Sequence, residues 1–485
     1  MILINPRSYK FGVFEKYVPL SVPIGIGHLA GALLSSNKKV LVLDEHISLL
    51  TEDLIKSLVS DLTPPYIFGI STLTACVKRA NELANLLKTL YPESKIIFGG
   101  IHPTVLPEEI LFNKNVDIVV RGEGENTLNL LYDAIKNNKD YSGIKGISFR
   151  VGEHIQNNPG ADLPDLSSLP AFPYYLFDQK SGKYNFGFIA SSRGCPYECI
   201  FCSQRSISGR RFRYVPVGVV EEDLDLLINN YKQSHINFLD DNFTADKKRI
   251  IELCEMMIRN KYYEKATFDC QTRADSVDDN ILTILKRAGF RLINFGMETA
   301  SERLMVLLNK KETVQDNINA VRMAKKHGFG VSATFIFGLP TETRKDRLDA
   351  YKLAKDLDLD YVRFNNATPY PGTKLFEIAK EEGRLFIKDD WTGLNACGSL
   401  VRDSDVENRL PYVPLSTDEK TLKKDIVRCN LFFSLRPKKV FSLIYKRVGP
   451  AGWFYLPKWW FLKPKEVFSF LRLGWRLVFT LIKNL

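Results

Sequence analysis

The sequence predicts an α/β protein: a doubly wound, Rossmann-like sheet domain, then a partial (β/α)6 barrel of the TIM type, then a helical C-terminal region. Short apolar runs alternate with helical stretches twice along the chain, over 1–145 and over 187–385. Alternation of this kind builds parallel sheets flanked by helices. Between the two, residues 146–186 are rich in Pro, Asn, Ser and Asp and are expected to form a linker. With 485 residues, 45% hydrophobic and 25% charged, the composition is globular. That excludes disordered, collagenous and disulfide-stapled classes.

In the first region the expected strands are Met1–Asn5, Lys39–Asp44, Tyr66–Ser71, Lys95–Gly99 and Asp117–Arg121. A helix is expected over Val77–Leu90, stopped by Tyr91-Pro92. In the second region the strands fall near Phe188–Ser191, Ile236–Asp240, Ala266–Gln271, Leu292–Glu298, Gly330–Phe337 and Tyr361–Asn365. Helices such as Val219–Tyr231 and Asp278–Ala288 lie between them. Six strand–helix units are too few for a closed eightfold barrel, and in such folds the loops after the strands' carboxyl ends carry the chemistry. From 386 to 485 the rhythm gives way to helical, aromatic and basic sequence.

Charge is unevenly distributed. Residues 431–485 hold eleven Lys/Arg and a single acid, Glu466, whereas the other 430 residues hold 56 basic and 55 acidic side chains. The near-neutral body gives no support to nucleic-acid binding. The N-terminus, Met1-Ile2-Leu3-Ile4-Asn5-Pro6, has no basic segment followed by an apolar stretch of signal-peptide length, so a cytoplasmic protein is expected. Three of the eight cysteines are bunched and five are scattered. In a cytosolic chain that points to metal or redox chemistry at the bunch and inert thiols elsewhere.

The bunch is Arg193-Gly194-Cys195-Pro196-Tyr197-Glu198-Cys199-Ile200-Phe201-Cys202, a Cys-x3-Cys-x2-Cys spacing directly after the first barrel strand. Three thiolates so close can wrap one cuboidal iron–sulfur cluster and leave an iron open to a substrate or cofactor. Structural zinc wants four ligands, and no local fourth Cys or His is present. Polar motifs close four further barrel strands: Asp240-Asp241-Asn242, Arg273 in Gln271-Thr272-Arg273, Gly296-Met297-Glu298 and Gly338-Leu339-Pro340. Singly each has a bland explanation as cap, ion-pair partner or turn. Together, beside the cysteines, they point to one site.

The N-terminal sheet repeats the pattern. Asn5-Pro6, Ser71-Thr72, Gly99-Gly100-Ile101-His102-Pro103-Thr104 and Arg121-Gly122-Glu123-Gly124-Glu125 all follow strands. Ligands of open α/β sheets bind outside those carboxyl ends, and glycines there let backbone approach a ligand closely. By chemistry alone this says cofactor or nucleotide crevice.

The cysteine motif and the barrel motifs resemble the radical S-adenosylmethionine (SAM) superfamily. The order Pro23-x-Gly25, Gly99-Gly100-x-His102-x-Thr104, Gly122-Glu123-Gly124-Glu125 ahead of such a barrel resembles the subfamily with a cobalamin (B12)-binding domain. The resemblance runs from residue 1 to about 380 and includes Pro369-x-Pro371-Gly372-Thr373 after the sixth strand. It implies that Cys195, Cys199 and Cys202 hold a 4Fe–4S cluster whose open iron is chelated by SAM. An electron from the cluster then cleaves SAM to a 5′-deoxyadenosyl radical, which also implies a low-potential donor such as flavodoxin or ferredoxin. It further implies that Glu298 helps hold the SAM amino group and that Gly338 and Pro340 lie beside the adenine. Asp240, Asp241 and Arg273 are candidates for the same site. Asn5, Pro6, Ser71, Thr72, Gly99, Gly100, His102, Thr104, Arg121, Gly122, Glu123 and Gly124 are candidates for the cobalamin crevice. One departure matters. Some relatives use Asp-x-His-x-x-Gly to ligate cobalt, but Asp44-Glu45-His46-Ile47-Ser48-Leu49 lacks the glycine and follows the second strand. His46 is therefore expected to be an ordinary loop residue, with no protein imidazole on cobalt.

The activity implied is methyl transfer to an unactivated carbon. Cyclisation, oxidation or rearrangement with the same two cofactors is the alternative, and a cobalamin-binding sensor or membrane adaptor is an alternative of another class. In Glu466–Leu485, Ser469, Arg472, Arg476, Thr480 and Lys483 share one narrow helical stripe against a broad apolar remainder. Four of the five tryptophans (453, 459, 460 and 475) lie nearby. An interfacial helix on an anionic membrane, at the inner face, and a hydrophobic or lipid substrate are expected from this; the alternative is a helix packed on the barrel.

Overall fold

The structure is a computed structural model. It describes residues 1–7, 20–177, 182, 184–388, 390–391, 393–394, 396 and 409–436. The tail segment 466–485, the tryptophans at 453, 459, 460 and 475, and Cys397 lie outside the described residues.

The first domain runs β1 (Ile2–Asn5), α1 (Ile24–Ser35), β2 (Leu41–Asp44), α2 (Glu52–Val59), β3 (Ile67–Ser71), α3 (Val77–Leu90), β4 (Lys95–Gly99), β5 (Ile118–Val120) and α4 (Glu125–Lys136). The strands pair in parallel in the order β2-β1-β3-β4-β5. The order reverses between β1 and β3, and that switch point is where doubly wound sheets open a ligand crevice. Period-two alternation supplies two cores, one per face. Ile2, Ile4, Phe68, Ile70, Ile96 and Phe98 pack under α3. Met1, Leu3, Ile67, Ile97 and Ile118 pack under α1 and α4.

The sheet of the first domain continues past residue 145, where the linker was expected to begin. Residues β6 (Ile147–Val151) and β7 (His154–Asn157) form a hairpin that extends the sheet antiparallel to β5. Ile147 and Phe149 are buried in the sheet's core, and Gly152 takes φ +60 at the turn. The Pro- and Asn-rich composition starts only at Asn157, so averaging over 146–186 concealed a strand pair.

The second domain is an open parallel sheet in sequence order: β8 (Phe188–Ile189), β9 (His235–Phe238), β10 (Thr267–Thr272), β11 (Phe290–Glu298), β12 (Gly330–Phe337) and β13 (Tyr361–Asn366). Its helices include α5 (Val217–Asp225), α6 (Lys247–Arg259), α7 (Asp279–Arg287), α8 (Val314–Lys326) and α9 (Arg344–Asp356). Side-chain caps start four of these: Asp246, Asp278, Thr313 and Thr343 each accept a backbone N–H of the first turn. Phe238, Phe268, Phe290, Phe335 and Phe364 are buried in the domain's main hydrophobic core. Alternating strand positions Asn237, Asp269, Asn294, Ser332 and Arg363 line the lumen. The last described element, α10 (Glu419–Ser434), is pinned to the barrel by Asp425, which accepts from the fully buried Arg347 at 3.0 Å. No helix among the described residues is long and apolar enough to cross a membrane.

Candidate active site

The cysteine loop leaves the barrel at Ser192–Arg193 and turns at Gly194, which takes φ +83. A Cβ there would run into the carbonyl of Arg211. Barrel contacts fix the rest of the loop: the Ile200 N–H donates to Leu308 O (3.1 Å), Leu375 N–H donates to Ile200 O (2.9 Å), and Asn309 donates to Glu198 O (3.1 Å). Cys195, Cys199 and Cys202 are unpaired and half-buried. Burial pushes all three thiols up, Cys199 to about 12, while Lys310 and Arg273 pull Cys199 the other way. Among the described residues no His, Cys, Asp or Glu side chains converge as ligands of a single metal ion. Ligands of a cuboidal cluster bind separate irons, so they need not converge.

Asp240 and Arg273 both act on this loop. Asp240 is buried and accepts from the Ser191 N–H (3.2 Å), Ser191 Oγ (3.0 Å) and Ser192 Oγ, which ties the end of β9 to the loop's start. The Arg273 guanidinium lies 3.4 Å from the ring centre of Tyr197, inside the cysteine motif. Two hydrogen bonds to Asp275 (3.0 and 2.7 Å) orient it. Asn242, expected as a possible cap, is fully buried and accepts instead from Thr272, Arg273 N–H and Ser276.

At the end of β11 the chain makes a register shift, and Glu298 takes φ +60, a conformation that costs a non-glycine residue about 1–2 kcal/mol. Its carboxylate folds back over Gly296, where a Cβ would collide with it. Burial raises the Glu298 pKa, opposed by the Lys310 ammonium 3.4 Å away. Lys310 also donates to Gly296 O and pairs with Glu312 at 2.9 Å. The sequence reading missed Lys310 and Glu312. Asn309-Lys310-Lys311-Glu312 reads as a solvated loop ahead of the Thr313 cap, yet Lys310 and Glu312 are 3% and 5% exposed. Gly338 takes φ +85 and donates its N–H to Glu342 at 2.6 Å, and Pro340 is buried beside it.

Between the two domains lies a cavity of about 460 Å3. Gly25, Gly69, Gly99, Gly100, Gly122 and Gly124 line it, with Ser71 and Glu123. On the barrel side it is closed by Arg193, Ser203, Gln204, Leu239 and Asp241, so it abuts the cysteine loop. Gly100 takes φ +100, and a Cβ on it would press within 2.9 Å of the Thr72 carbonyl. Thr104 donates to Gly100 O (2.7 Å) and accepts from the Gly122 N–H (2.9 Å), locking the two glycine turns together.

Six expected crevice residues do not reach the cavity wall: Asn5, Pro6, Thr72, His102, Thr104 and Arg121. His102 lies on the short helix Ile101–Val105 and is buried, its ring packed against Trp391 with Glu109 3.5 Å from Nε2. Arg121 donates to the carbonyls of Ile147 (3.1 Å) and Asn158, gripping the unanticipated hairpin. Asn5 donates to Asp44 (3.0 Å), whose carboxylate also lies 2.9 Å from His46 Nδ1, so His46 is engaged in its own loop. Glu123 reaches the wall but is buried between Arg193 (2.8 Å) and Arg213. His28, in no sequence motif, also lines the wall. His28 is held neutral, its pKa pushed down to about 3 by burial and by Arg193.

Residues 189–354 match the family model for the radical SAM superfamily, and residues 12–131 match that for the B12 binding domain. The chain belongs to the radical SAM superfamily, in its B12-binding branch. An uncharacterized methyltransferase of Pyrococcus horikoshii is 31% identical to this radical SAM enzyme over 432 residues, 88% of this chain and 91% of that one. An anaerobic magnesium-protoporphyrin IX monomethyl ester cyclase of Rubrivivax gelatinosus is 25% identical over 382 residues, 75% of this chain and 67% of its own. Among solved structures, the radical SAM methyltransferase TsrM of Kitasatospora setae, with cobalamin and a 4Fe–4S cluster bound, aligns at TM-score 0.70 and 18% identity, covering 90% and 89% of the two chains. The cobalamin-dependent SAM radical enzyme OxsB aligns at TM-score 0.74 and 18% identity, covering 99% of this chain and 71% of its own. At such identity these two establish the fold. The cofactors of this radical SAM enzyme are a 4Fe–4S cluster, SAM and cobalamin.

The residues present fit that set. At Gly25, Gly99 and Gly122 a Cβ would meet nothing closer than 3.7 Å, so a side chain there would take up cavity space that a flat macrocycle requires. Gly296 O and Glu298 already accept from an ammonium, that of Lys310, so they suit the amino group of SAM.

Proposed function

We propose that the protein is a cobalamin-dependent radical SAM C-methyltransferase acting on an unactivated carbon. The observation that carries this reading is the shared wall: Leu239 and Asp241 line both the interdomain cavity and a chamber in the barrel lumen. Cofactor site and substrate space therefore meet beside the cysteine loop. When bound, cobalamin supplies a transferable methyl group, and the cluster with SAM supplies a hydrogen-abstracting radical.

The chain's own residues position and shield. Cys195, Cys199 and Cys202 would hold the cluster, with Asp240 and Arg273 fixing the loop that carries them. Glu298 and Gly296 O would accept the SAM amino group, and Lys310 would then keep Glu312 as its partner. Gly99, Gly100, Gly122 and Gly124 would face cobalamin, aligned by Thr104. Flavodoxin or ferredoxin would supply the electron. The cyclase relative favours a second reading, in which the same cofactors act without methyl gain. The hydrophobic-substrate and membrane expectations rest on 466–485, outside the described residues.

The test uses anaerobically reconstituted full-length protein with SAM, reductant and a cell extract. 5′-Deoxyadenosine together with a product heavier by one CH2 is expected. Cys195→Ala/Cys199→Ala/Cys202→Ala should abolish both. 5′-Deoxyadenosine formed with no CH2 gain would replace this reading by the second one.

A further inference from the structure

The chamber in the barrel lumen has a volume of about 330 Å3, the size of a small-metabolite site. Three acids and one arginine are the charges on its wall. Each acid is already engaged. Asp240 accepts from Ser191 and Ser192, Asp269 stands 3.0 Å from His235 Nε2, and Asp241 accepts from the Gly194 N–H and from Gln204. Arg363, on β13, is exposed, and among the described residues its guanidinium has neither an ion pair nor a hydrogen bond.

A hydrogen-bonded relay shares this wall. Ser332 Oγ donates to Asn294 Oδ1 (2.8 Å), and Asn294 Nδ2 donates to Gln271 Oε1 (3.1 Å). The relay consumes the Gln271 carbonyl and leaves its amide N–H groups as donors. A guanidinium fork that has no direct partner among the described residues, with amide donors on the same wall, offers the donors that an oxyanion needs.

We propose that Arg363, with Gln271 as second donor, binds a carboxylate or phosphate of the substrate, which is therefore a small polar anion. The inference deepens the methyltransferase reading and rests on the barrel lumen being its substrate space.

The experiment measures binding to the anaerobic holoenzyme by calorimetry, with malonate, inorganic phosphate and phosphatidylglycerol vesicles as the probes at constant ionic strength. Malonate or phosphate is expected to bind. Arg363→Gln should weaken it about tenfold or more, the loss expected for a hydrogen bond to a charged group, and Arg363→Lys should weaken it less. Because Arg363 is exposed and unpartnered, both variants should fold, checked by unchanged iron and cobalamin content. If neither anion binds, or if Arg363→Gln binds as the wild type does, the proposal is overturned. Binding that depends on Arg363 only with vesicles overturns the small-anion assignment. The measurement needs no turnover, so its failure leaves the methyl-transfer reading standing, and a missing CH2 gain leaves the anion site standing.

Discussion

At the scale of single residues, His28 shows how burial sets protonation. Its ring lies edge-on to Phe172, with centroids 5.3 Å apart, in the wall of the interdomain cavity. Desolvation, then the nearby Arg193, hold the native pKa down to about 3, against 6.5 for the unperturbed side chain. Between those values the unfolded chain binds a proton that the native state does not. Stability therefore rises with pH across that window, is fully present above it, and is lost on acidification. The melting temperature should fall from about pH 7 to about pH 5, and His28→Phe should fall less steeply. Parallel slopes for the two proteins would refute this assignment. Nothing in the sequence marks His28, a lone histidine in an apolar helix. Glu298 stands in a local motif that the sequence displays, whereas Lys310, 3.4 Å from its carboxylate, is brought in by the loop after Leu308.

At the scale of elements, the cysteine loop depends on one backbone conformation. Gly194 combines φ +83 with a Cβ position blocked by the Arg211 carbonyl, whereas Gly209 has φ +63 and open space within 4 Å. The left-handed conformation costs a side chain about 1–2 kcal/mol, and overpacking adds about 1–3 kcal/mol. Gly194→Ala should therefore lower iron content per chain and speed bleaching in air more than Gly209→Ala, which meets the backbone cost without the blocked Cβ. Equal iron retention in both variants would show that the turn does not position the cysteines. Element positions were largely legible: expected and observed strands agree within a few residues at β1, β4 and β12, because period-two and apolar-run signals are local. The β6–β7 hairpin was not, since two short strands inside a Pro- and Asn-rich segment carry little periodicity. Nor was the fate of Thr104, Arg121 and His102. Strand-end placement is visible in sequence, but which way each side chain leaves the turn is decided by tertiary packing.

At the scale of the whole molecule, an ion-pair knot joins the two domains at the cavity. Glu123 of the first domain lies between Arg193 (2.8 Å) and Arg213 of the second and accepts from Ser208 at 2.9 Å. Arg193 also reaches Glu125 at 2.7 Å. The two arginines lie opposite each other in a short antiparallel ribbon, and Gly194 and Cys195 follow directly. The knot thus ties the cobalamin domain to the base of the cluster loop. Removing one member of a buried pair leaves charge uncompensated at a cost of about 3–5 kcal/mol. The carboxylate is held ionised by those arginines, its pKa lowered despite burial, so Glu123→Gln removes charge that is present at neutral pH. In differential scanning calorimetry, Glu123→Gln should lower the melting temperature and separate the unfolding of the two domains, with cobalamin released at the first step. Glu123→Asp, which keeps the charge on a shorter stem, should restore part of the coupling. A single transition at the wild-type temperature in Glu123→Gln would show that the domains are held together by their apolar contacts alone, and that the glutamates of the Gly-Glu-Gly-Glu turn have another use.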